Sequence, residues 1–104
     1  MSEGNYSDAH CFPFAYKDLG IGRLVGMPVP GTCTFVWWER MQDPSLVFGI
    51  PNMGVTSSDG TYLENLQLEP DITVSNEFSP LSGGRDQQLE RAVEELLAVL
   101  ESGN

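Results

Sequence analysis

Residues 6–17 read Tyr-Ser-Asp-Ala-His-Cys-Phe-Pro-Phe-Ala-Tyr-Lys, and the organisation of the chain turns on this stretch. Phe12, Ala15, Tyr16 and Leu19 recur at the spacing of one helix face, which predicts a helix from Ala9 to Leu19. Ser7 or Asp8 is the natural N-cap. Gly20 is the natural residue past the end, where a left-handed backbone favours a side chain without Cβ. Pro13 falls near the first turn, where a missing N–H costs least. The polar run from Met1 to Asp8 has no period and reads as the loop leading in.

Working outward, Arg23–Gly26 is a short apolar run suited to a buried strand, followed by Met-Pro-Val-Pro-Gly-Thr, an irregular loop. Cys33–Glu39 is rich in β-branched and aromatic residues, and Leu46–Ile50 follows an Asp-Pro turn signal, so the two predict a hairpin. Asp59-Gly60 marks a tight turn, and Ile72–Val74 is one more short strand. Residues 76–84 carry a proline and two glycines and read as a linker. From Asp86 to Leu100, the residues Leu89, Val93, Leu96, Leu97 and Leu100 form one apolar stripe, with Glu90, Glu94, Glu95 and Glu101 expected in water. The expected class is α/β: a helix, several short strands, then a C-terminal helix, too few alternating units to close a sheet.

The bulk numbers bound the function. A chain of 104 residues fits one domain with a modest core. Fifteen acidic residues against five basic ones give a formal net charge of −10. No basic footprint exists for a phosphate backbone, so nucleic-acid binding is disfavoured, and an anionic membrane surface would repel the chain. No apolar run reaches the length of a membrane span. Basic or apolar partners, such as unfolded peptides, remain open, and so does a homo-oligomer. Two cysteines, Cys11 and Cys33, make no metal motif, and the default expectation is a pair of buried free thiols.

Few residues stand where chemistry could use them. Ser7 sits where a loop enters a helix, and the first N–H groups of that helix favour developing negative charge. A serine there can act as a nucleophile if a base lies alongside, although a plain cap is the commoner role. His10 is the only histidine and Lys17 the only lysine. The first reads as a surface or packing residue, the second as a solvated side chain near the helix C-terminus. Glu64 lies among apolar neighbours in Leu-Glu-Asn, where burial could make it an orienting or substrate-binding carboxylate. Asp71, after Pro70, reads as a turn-capping aspartate. The glycines form no phosphate cradle, and no cofactor is implied.

Read in order, the phrase at 6–17, then Leu-Gly-Ile-Gly-Arg-Leu-Val-Gly, Pro-Val-Pro-Gly-Thr, Leu-Glu-Asn-Leu-Gln-Leu-Glu-Pro-Asp and Gly-Arg-Asp-Gln-Gln-Leu-Glu-Arg-Ala-Val form a series. It resembles the C-terminal part of the catalytic core in the tricorn and C-terminal-processing peptidase family, from about Asn5 to Leu100. The resemblance implies a fragment of a crotonase and caseinolytic-protease-like core that hydrolyses peptide bonds. Ser7 matches the nucleophile that opens a helix. Asp8 matches the residue whose backbone N–H helps form the oxyanion hole, and Glu64 matches a downstream glutamate of the tricorn branch. Glu69–Asp71 matches a signature that looks structural.

Departures from the family pattern matter too. No lysine occurs after Lys17, so the serine–lysine dyad of the processing branch is not expected. The tricorn branch draws its histidine base from well upstream of the nucleophile, and His10 does not match it. The isolated chain is therefore expected to be nearly inert, with the rest of a longer parent chain and a peptide or unfolded protein as its partners. A bacterial periplasmic or cell-envelope parent is the expected setting. The alternative is a noncatalytic module on the same fold, with Phe35–Trp38 as an apolar-ligand surface rather than a core strand.

Overall fold

The computed structural model describes residues 1–103. In chain order the elements are α1 (Asp8–Asp18), β1 (Val25–Gly26), β2 (Thr34–Arg40), β3 (Val47–Gly54), β4 (Ile72–Thr73), α2 (Phe78–Ser82) and α3 (Gln87–Ser102). The mixed α/β arrangement matches the expectation.

Helix α1 ends as its sequence dictates. Gly20 takes φ 63, its N–H donates to the Lys17 carbonyl at 3.0 Å, and Ile21 N–H donates to the Tyr16 carbonyl at 3.1 Å. Both bonds satisfy carbonyls that the helix leaves open. Pro13 lies further in than expected, where it deprives the Ala9 carbonyl of its partner one turn ahead. Asn5 Nδ2 fills that place at 3.3 Å.

Strand β1 pairs in parallel with β4, and β2 pairs with β3 in an antiparallel hairpin with an irregularity between Phe35 and Val36. A third link is the bridge between Val29 and Leu68, closed by reciprocal bonds of 2.9 Å. Leu24, Val29 and Leu68 form the core cluster, with Met1, Phe14 and Tyr16 against it. The core therefore lies where α1 crosses the segments that flank β1 and β4.

Beyond that cluster, apolar faces stay open. Trp37 and Trp38 of the hairpin are 64% and 65% exposed, so the stretch from Phe35 is not a core strand among these residues. The α3 stripe is also exposed, as at Leu96. Helix α3 is anchored by the Asp86 cap, which accepts from Leu89 N at 2.9 Å, and by Glu95, which is not left in water as expected but is half-buried and ion-paired with Arg23 and Arg91. The radius of gyration is 17.6 Å, against about 13 Å for a compact chain of this length.

Three local expectations change. Cys11 and Cys33 are not free thiols but form a disulfide, with their Cα atoms 5.6 Å apart. Residues 76–84, read as a linker, contain the five-residue helix α2. Lys17 is not simply solvated: its Nζ donates to the Glu69 carbonyl at 2.8 Å and pairs with Asp71 at 3.1 Å. Asp71 also accepts from Leu24 N at 2.7 Å, so Glu69–Asp71 ties the end of α1 to the start of β1.

The Leu24 N–H, followed by Lys17, holds the Asp71 carboxyl below the usual carboxylate range. A depressed folded pKa adds stability above the unfolded value near 4, lost as pH falls through the folded value. Asp71→Asn is expected to remove that acid-sensitive part and to cost about 1 kcal/mol at neutral pH, since solvent screens the pair. Thermal unfolding followed from neutral pH down through the carboxylate range checks this. A second expectation concerns Gly31, where a Cβ would stand 2.2 Å from Leu66 N. Gly31→Ala forces backbone apart and should lower stability by about 3 kcal/mol in urea unfolding.

Candidate active site

The start of α1 does not cap itself. Ser7 has φ 56 and ψ −125, and its hydroxyl makes no capping bond. A non-glycine residue at positive φ is strained, which is how a strand- or loop-to-helix turn can present a serine outward. The strain is held from two sides. Ser7 N–H donates to Thr32 Oγ1 at 3.0 Å, and the Ser7 carbonyl accepts from His10 N at 2.8 Å and Cys11 N at 3.0 Å. Ala9 N–H turns back to the Tyr6 carbonyl at 3.1 Å. Among the described residues, Asp8 N–H alone of these first-turn donors has no protein acceptor.

Thr32 is placed by the Pro-Gly-Thr loop. Asn65 takes φ 62 and donates its N–H to the Gly31 carbonyl at 2.7 Å, bringing the 63–66 turn against the loop. Glu64 sits on that turn, half-buried. Its Oε2 accepts from Cys33 N at 3.0 Å and from Thr34 Oγ1 at 2.6 Å, and Thr34 in turn contacts Tyr62 Oη at 3.2 Å. Oε1 has no partner among the described residues.

Ser7, Asp8, Thr32, Thr34, Trp38 and Glu64 line one cleft of about 700 Å³. The three residues singled out from sequence thus share a single opening, although 57 positions separate Ser7 from Glu64 (64 − 7). Ser7 and Asp8 are exposed to solvent within it.

The other candidates fall elsewhere. His10 is fully buried, with its ring 6.0 Å from Phe14, and does not line the cleft. Burial pushes its pKa below the ordinary value, opposed by the Leu66 backbone and by the charge of Glu64. Neither ring nitrogen meets hydrogen-bond geometry. Lys17 is engaged with Glu69 and Asp71 at the far end of α1. Sequence reasoning missed Thr32 and Thr34, whose side chains anchor Ser7 and Glu64; their place beside Gly31 in the loop was the available signal. It also missed the disulfide, which joins α1 to the residue whose N–H holds Glu64.

Comparison with known proteins bears on the family and the fold. The family model described as Peptidase family S41 matches residues 1–74. The tricorn protease of Thermoplasma acidophilum is 26% identical over 99 residues, covering 94% of this chain and 9% of its own length. A protein described as a putative tricorn-like protease C-terminal subunit, from Sulfurisphaera tokodaii, is 33% identical over 97 residues, covering 91% of this chain and 11% of its own length. The crystal structure of the tricorn protease superposes with a TM-score of 0.82 at 26% identity, over 95% of this chain and 10% of that one. The chain spans about a tenth of the length of these relatives. These relatives are archaeal, which overturns the expected bacterial periplasmic or cell-envelope parent. By its match over most of its residues, and by a fold shared with the tricorn protease, the chain belongs to peptidase family S41.

Proposed function

We propose that this chain carries the nucleophile and an oxyanion donor of a serine endopeptidase. The observation behind this reading is the Ser7 hydroxyl, uncapped and solvent-open, in a cleft shared with Asp8 and Glu64. Membership of a peptidase family supports the reaction class.

In this mechanism Ser7 Oγ attacks the scissile carbonyl carbon of a bound peptide, and its proton passes to a base. The carbonyl oxygen becomes an oxyanion and accepts the free Asp8 N–H, aided by the positive end of α1. Collapse of the tetrahedral intermediate breaks the C–N bond, and the leaving amine takes the proton back. Water then repeats the sequence to release the acyl group from Ser7. Glu64, with Oε2 held and Oε1 open, receives a donor from the substrate or from the polar network around it.

The base comes from outside these 104 residues. His10, the single histidine, is buried away from the cleft, and Lys17, the single lysine, is paired elsewhere. A serine hydroxyl near its ordinary pKa is a poor nucleophile, so the chain by itself is nearly inactive. A noncatalytic apolar-ligand module would use the exposed Trp37 and Trp38, but it gives no role to the strained serine that shares a cleft with a fixed carboxylate.

In the intact protein, Ser7→Ala is expected to lower kcat for peptide cleavage by on the order of a millionfold while substrate binding persists. Cleavage of an unstructured polypeptide, followed by mass spectrometry of its products, measures this. A Ser7→Ala protein that cleaves at the parental rate would remove Ser7 from the role.

A further inference from the structure

The proposed hydrolysis gives no work to His10, Cys11 and Cys33, yet these three residues form a tight cluster. One ligand atom from each lies within 4.8 Å of the others. The cluster is enclosed: His10 is 0% and Cys33 1% exposed, and Cys11 is partly buried. Both ring nitrogens of His10 are buried without a hydrogen-bond partner. An unsatisfied buried imidazole is costly, and a ligand that accepts its lone pair would relieve that cost.

We propose that, once the Cys11–Cys33 bond is reduced, both sulfurs and one ring nitrogen of His10 bind a zinc-class divalent ion. Two soft sulfurs with an imidazole form the donor set that favours Zn²⁺ over Mg²⁺ or Ca²⁺. In a tetrahedral shell, Zn–S near 2.3 Å sets sulfurs about 3.8 Å apart, further than the disulfide holds them. Only the two sulfurs need to separate, and Cα atoms 5.6 Å apart allow that without moving α1 away from the Cys33 segment. Two thiolates balance the ion's charge, so the buried assembly is neutral. Three protein donors leave a fourth position for water.

The surroundings serve as an outer layer. Cys33 N–H donates to Glu64 Oε2 at 3.0 Å, which fixes the backbone that carries one sulfur. The exchange balances. A dithiol reductant is oxidised to its own disulfide and delivers two electrons and two protons to the two Sγ atoms. Metal binding then releases both protons. In either state α1 stays tied to the Cys33 segment, by a covalent bond or through the ion. This inference does not depend on the role of Ser7.

The test uses the intact protein, reduced by a phosphine in metal-free buffer. Alkylation of Cys11 by iodoacetamide is followed by peptide mass spectrometry, which reads that residue alone. Zn²⁺ is expected to slow Cys11 alkylation by at least about tenfold while Mg²⁺ leaves it unchanged, because thiolate bound to metal is withdrawn from reaction. Cys33→Ser and His10→Gln should each raise the zinc concentration needed by on the order of a hundredfold. Equal Cys11 alkylation with and without Zn²⁺ in the reduced wild-type protein, with its circular dichroism native, overturns the proposal without any variant. So does undiminished zinc protection in a folded His10→Gln protein.

Discussion

The backbone at Ser7 is the constraint on which the site rests. A serine at φ 56 stores strain of about 1–3 kcal/mol, which persists only where neighbours over-determine it. Here Thr32 takes the Ser7 N–H, the first helical turn takes its carbonyl, and the Cys11–Cys33 bond locks that turn to the residue that leads into β2. Released from this grip, the residue would relax to an ordinary cap and its hydroxyl would turn back to the helix. The strain is what leaves the oxygen free.

The same grip explains the position of Glu64. The Gly31 backbone approaches Leu66 too closely for any Cβ, and Asn65 bends into the left-handed region to meet it. The carboxylate is then caught by Cys33 N–H and Thr34 Oγ1. One short stretch, residues 31–34, therefore aims both the serine and the glutamate, and the disulfide passes through its middle. The apolar hairpin and the α3 stripe contribute little to this arrangement. They leave large side chains in solvent, and the small core around Val29 carries the fold between them.

Much of this architecture was legible in the residues. Helix α1 and its Gly20 end, the hairpin and helix α3 follow from periodicity and turn chemistry, because those signals act within a few residues. Ser7 and Glu64 were candidates from their local setting, but only ordered resemblance to a peptidase family joined them with Asp8, since spacing alone cannot tell a cap from a nucleophile. What stayed hidden depends on distant parts of the chain meeting. The disulfide joins residues 22 apart, and Lys17 meets Asp71 across 54 positions (71 − 17). Helix α2 was hidden for a different reason: Pro80 and two glycines favour irregular backbone, and five residues are too few for a period to show.

Reaction of the intact protein with a fluorophosphonate, followed by peptide mapping, tests the central claim most directly. The hydroxyl at the strained helix start should carry the phosphonyl adduct, and urea that unfolds the protein should abolish the labelling. An adduct on another serine with Ser7 unmodified, in protein that still cleaves peptides, would contradict the account.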